Sequence, residues 1–153
     1  MNELQRHIDT LEESYEFMLA YAAQGLEGDS GSKSGGELRE FLRRSVTALT
    51  ELPGVAATYA PNGDDTATEA YADFMTVLEG DARSGRAAMQ LVLSQRSISS
   101  QLVDNLNASI HLRALLTDLF LVDEILRPRA SDAIPAAALA SEEPPPADTS
   151  STP

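Results

Sequence analysis

Cysteine is missing altogether from the 153 residues, and tryptophan with it. Without a thiol there is no disulfide, no thiolate nucleophile, no zinc–cysteine site and no cysteine-ligated iron–sulfur cluster. Basic charge is also scarce: eleven Lys and Arg stand against twenty-four Asp and Glu, a formal charge of -13. Nucleic-acid phosphates and anionic membrane surfaces repel such a chain, so neither is expected as a partner. The bland reading of the acidity is solubility, and the sharper one is a match to a basic protein surface.

Long apolar runs are missing too. The greasiest stretch, LRALLTDLFLVDEIL, covers residues 112–126 and is interrupted by Asp118, Asp123 and Glu124. It is shorter than the ~20 residues a bilayer span needs. The N-terminal MNELQRHIDTLEESYEF has no apolar h-region and no small-residue cleavage site, so it does not read as a signal peptide, and a cytoplasmic location is the default expectation.

What is present is helical periodicity. Leu4, Ile8, Leu11, Tyr15, Met18 and Ala22 step by four and three residues, a heptad seam. Asn2 is placed to cap this helix, which should stop near Gly25–Gly28. EGDSGSKSGG, residues 27–36, reads as a flexible polar linker. It is not a phosphate loop: Lys33 precedes the glycine pair instead of following it, and no strand leads in. A short second helix carries Leu38, Phe41, Leu42, Ala48, Leu49 and Leu52, with Ser34 and Glu37 as its capping box and Pro53-Gly54 as its stop. Pro61-Asn62-Gly63 signals a turn. A third helix starts at Asp64–Thr66 and is expected to run through Gly80 and Gly85 as one element. A serine-rich turn follows, with Ser97 or Ser99 capping a last helix that continues to Arg127, where Pro128 stops it.

These four segments predict an all-α protein, an antiparallel four-helix bundle over residues 1–127, followed by a Pro/Ala/Ser-rich acidic tail at 128–153 expected to be disordered.

Chemistry is thinly represented. Ferritin-like di-iron bundles need Glu-x-x-His on two helices, but Leu4 and Ala108 stand three before the only histidines, His7 and His111. A looser metal site would use Glu3 and His7, four apart on one helix face, with His111 from the last helix; the simpler expectation is a solvated His7 and a half-buried His111. Glu12, Glu13 and Glu16 read as a solvated face. Tyr15, Phe17, Tyr21, Tyr71 and Phe74 keep helical spacing with aliphatics and read as core. No catalytic residue and no cofactor follow from these patterns.

The last helix is apolar nearly all round, which demands burial. Its own chain covers part of it, and a homodimer or another protein is expected to cover the rest, with Leu115, Leu119, Leu121, Val122 and Ile125 as interface candidates. The sequence thus points to a non-enzymatic, self-associating interaction module of accessory, adaptor or assembly type. The alternative is a metal- or small-ligand-binding bundle, possibly an enzyme.

Overall fold

The computed structural model describes residues 2–59 and 63–127. Those residues form five α-helices and no strand: α1 Glu3–Ala23, α2 Lys33–Ala57, α3 Asp65–Leu93, α4 Ser100–Ala108 and α5 Ile110–Leu126. The expected tail at 128–153 and the Pro61-Asn62 part of the expected turn lie outside the described residues.

Helix α1 begins where Asn2 accepts the Gln5 backbone N–H at 2.7 Å, with Glu3 favourably placed in the positive first turn. It ends at Gly25, whose φ of +65° is a left-handed value that glycine adopts without a Cβ penalty. Leu4, Ile8, Leu11 and Met18 of the heptad seam are buried. Tyr21, outside the seam, is buried as well, and its hydroxyl donates to the Ile98 carbonyl at 2.7 Å.

The second helix is 25 residues long, not short. Its N-cap is Ser32, which accepts from the Gly35 N–H at 3.0 Å; Ser34 lies within the first turn and donates instead to Gln24 at 3.0 Å. Pro53 does not stop it. Proline inside a helix costs about 3 kcal/mol, but Leu49, Leu52 and Ala56 are all buried on the core face. The last turn is also held from outside: Tyr71 on α3 donates its hydroxyl to the Ala56 carbonyl at 2.7 Å.

The expected linker at 27–36 is a built junction. Lys33–Gly36 are already helical, and Asp29 is buried. Its carboxylate accepts from Arg39 Nε at 2.5 Å and from the Ile98 N–H at 2.7 Å. Arg39 donates onward to the carbonyls of Leu93, Gln95 and Arg96, at the end of α3 and just beyond it. Ser100 completes the knot, donating to the Tyr21 carbonyl and accepting from the Leu26 N–H. The Arg39 guanidinium and the Ile98 N–H hold the Asp29 carboxyl below the usual carboxylate range, although burial opposes them. Gly35 is required here, because a Cβ would collide with the Asp29 backbone carbonyl.

Helix α3 is a single element through Gly80 and Gly85. At Gly85 an added Cβ would lie 3.1 Å from a Leu115 methyl, so the glycine permits a close crossing with α5. The last helix, expected as one, is two. Ser109 takes an extended backbone, ψ 144°, and its hydroxyl accepts from the Leu112 N–H at 3.3 Å, ending α4 and capping α5 in one residue. A serine that can bond its own backbone competes with continuation of the helix.

Helix α1 packs on α2 and α4, α2 on α1 and α3, and α3 on α2 and α5, while α5 also touches α4 and α1. One apolar core runs between them, including Leu38, Leu42, Leu78, Met89, Leu112 and Leu115. No helix of the described residues is long and apolar enough to cross a membrane.

Candidate functional sites

Two places on this framework stand out, the outer face of α5 and a carboxylate–imidazole cluster between α1 and α2.

The α5 stretch separates into an inner and an outer set. Leu115, Leu119 and Val122 are fully enclosed by the chain's own core and do not reach the surface. Leu121 and Ile125 are 49% and 57% exposed, and Phe120 beside them is 56% exposed. Ile110 at the start of the helix is exposed too. At 100° per residue, Phe120, Glu124, Thr117, Ile110, Leu121 and Ile125 follow one another around an arc of about 140°. Along the axis this stripe runs about 22 Å from Ile110 to Ile125, at ~1.5 Å per residue. Arg113 lies within the same arc and is exposed, as is Glu124.

Two carboxylates of α5 are turned away from solvent, Asp118 and, less completely, Asp123. Asp118 is only 6% exposed, and its Oδ2 has no hydrogen-bond partner among the described residues. Burial first, then a hydrogen bond and like-charge repulsion from Asp81 on α3, push its carboxyl up to about 7. In the sequence Asp118 only interrupts an apolar run. Its actual position between α5 and α3 follows from the Gly85 crossing, which draws the two helices together.

The two histidines exchange their expected environments. His111 is exposed and belongs to no ligand cluster among the described residues. The His7 side chain is only 14% exposed. Its Nε2 stands 3.9 Å from Glu3 Oε1 and 3.3 Å from Glu51 Oε2. That nitrogen is closed to solvent and makes no hydrogen bond among the described residues. Glu3 and His7 share a face because they are four apart on α1. Glu51 arrives from α2, which packs alongside α1. The three ligand-bearing atoms all lie within 4.8 Å of one another. Sequence spacing signalled the Glu3–His7 pair, but no local signal named Glu51.

A shallow cleft between α2 and α3 is lined by Pro53, Gly54, Met75, Glu79, Arg83 and Arg86, among others. Arg86 there donates to the Thr50 hydroxyl at 3.2 Å. Glu12, expected on a solvated face, is half-buried; burial and the nearby Asp123 raise its carboxyl.

No family model, no curated protein and no solved structure matches the chain.

Proposed function

We propose that the protein is an acidic helical interaction module that acts by binding, in an accessory or assembly role, and that a second copy of the chain covers the outer face of α5. The observation that carries this reading is the exposure of Phe120, Leu121 and Ile125 along one stripe of a helix whose other side is core. In this reading α4 and α5 together take one place in an antiparallel four-membered bundle. Helix α4 leans on α1 and α5 on α3, which leaves the outward side of α5 without a neighbour among the described residues. Adjacent exposed apolar side chains of this kind mark association surfaces more often than a single exposed leucine does.

Charge favours a second copy on this face even though the whole chain is acidic. Arg113 and Glu124 are opposite in sign and lie within the stripe. Two α5 helices packed antiparallel about a two-fold axis between residues 118 and 119 bring Arg113 of each protomer opposite Glu124 of the other. An isologous interface has this self-complementarity.

The test is molar mass in solution. At about 50 µM, well above the micromolar dissociation constant of a weak dimer, light scattering should give twice the chain's 16.4 kDa. The double variant Leu121→Asp/Ile125→Asp should be monomeric with an unchanged far-UV spectrum. Arg113→Glu should weaken the dimer, and Arg113→Glu combined with Glu124→Arg should restore it. A clean monomer at that concentration, or a dimer indifferent to the double aspartate variant, would refute self-association through α5.

A further inference from the structure

The geometry points to a binding site for a divalent transition metal of the zinc class, built from Glu3 and His7 of α1 and Glu51 of α2. Its donors are one imidazole nitrogen and two carboxylates, a borderline set that suits Zn2+ and disfavours the hard ions Ca2+ and Mg2+, which take oxygen ligands.

The distances match the chemistry. Zinc bonds to nitrogen and oxygen are about 2.1 Å, so neighbouring ligand atoms of a tetrahedral site stand roughly 3.4 Å apart. His7 Nε2 and Glu51 Oε2 are already 3.3 Å apart. Glu3 Oε1, at 3.9 Å from the same nitrogen, has only a fraction of an ångström to move. Both glutamate side chains are about half exposed and free to make that adjustment. Water from the open side supplies the remaining position.

A second, independent observation points the same way. His7 Nε2 is shut off from solvent yet satisfied by no hydrogen bond, an arrangement proteins ordinarily avoid. In the neutral ring that nitrogen can present its lone pair to an ion held between the carboxylates. A metal there would link the first turns of α1 to the C-terminal half of α2. This site does not depend on α5 or on self-association, so the two proposals stand or fall separately.

The probe is Zn2+ titrated calorimetrically into the tag-free full-length chain. One equivalent should bind, and saturating Zn2+ should raise Tm by roughly 5 °C. Glu51→Gln, an exposed change on the second helix, should lower the affinity at least about tenfold, the least that even an outer-shell partner is worth. His7→Gln should abolish stoichiometric binding, and His111→Gln should leave it intact. Ca2+ at equal concentration should give no comparable shift, whereas general attraction to an acidic surface would favour both ions. Unchanged Zn2+ affinity in Glu51→Gln, loss of binding in His111→Gln, an equal response to Ca2+, or no one-to-one uptake each overturns the site. If His7→Gln fails to fold, the Glu51→Gln result decides alone.

Discussion

Asp118→Asn should stabilise the protein, and by an amount that grows with pH. Asp118 lies between α5 and α3 with Asp81 beside it, and its carboxyl is pushed from the ordinary 3.8 up to about 7. Between about pH 4 and pH 7 the folded state keeps a proton that the unfolded chain has released. Stability therefore falls as pH rises through that window, and the full penalty is present above it. At ~1.4 kcal/mol per pH unit the gap corresponds to a ceiling of about 4 kcal/mol. Local relaxation and the effective dielectric of a real interior bring the expected figure nearer about 2 kcal/mol. Asparagine has almost the same shape, cannot ionise, and offers an N–H to Asp81. Urea unfolding followed by circular dichroism should show the two proteins within about 0.5 kcal/mol of each other near pH 4 and about 2 kcal/mol apart near pH 8. The latter is roughly 6 °C in Tm. A difference that does not vary with pH, or an asparagine variant less stable than the parent at pH 8, would sink the argument that a crowded carboxyl pair limits stability.

Arg39→Ala should cost about 3–5 kcal/mol, because it leaves Asp29 buried beside carbonyls that have lost their donor; an unfolding midpoint within error of the parent would show the ion pair to be ornamental. The lowered Asp29 carboxyl adds a sign. Its stabilising contribution is complete above about pH 4 and is lost as pH falls below that, so Asp29→Asn should flatten the acid limb of the stability curve. Neighbouring glycines should part company under the same substitution. Gly35→Ala drives a Cβ into the Asp29 carbonyl and should destabilise by more than about 2 kcal/mol. Gly36→Ala meets open space in a helix and should gain about 0.5–1 kcal/mol. Thermal melts of the two variants moving in the same direction would contradict the packing of that turn.

Local pattern was enough wherever the deciding interactions were local. The Leu4–Ile8–Leu11–Met18 seam fixes the buried face of α1 because the helical period alone selects it. Helix α3 survives Gly80 and Gly85 since its apolar face continues on both sides of them. Pattern failed where a distant residue decides. Pro53-Gly54 is a strong stop signal, and what overrides it is a tyrosine hydroxyl from α3 on the Ala56 carbonyl. The polar run 27–36 has the composition of a linker, and its order comes from Arg39 and from the Ile98 N–H far along the chain. Ser109 did carry a local signal, a capping hydroxyl three residues before Leu112, but the apolar run around it pointed to continuity. The same division holds for the metal cluster. Glu3 and His7 are legible as an i, i+4 pair, and Glu51 is brought in by the crossing of two helices. On α5, period alone could not distinguish Val122 from its neighbours Leu121 and Ile125. Only the positions of α3 and α4 assign the first to the core and the other two to the surface.

The Asp29–Arg39 knot gathers the end of α1, the start of α2, the end of α3 and the start of α4. The other ends of α1, α2 and α5 meet around Leu4, Ile8, Tyr59 and Leu126, where the buried Leu4 and Ile8 sit inside a rim of Asn2, Gln5, Asp123 and Arg127. The molecule therefore has two poles that answer to different conditions. Acid should loosen the first pole, while the second should yield to cold and to agents that solvate hydrocarbon. Hydrogen exchange should accordingly open the protein from opposite ends under opposite stresses, with the middle turns of α2 and α3 the last to exchange in either case.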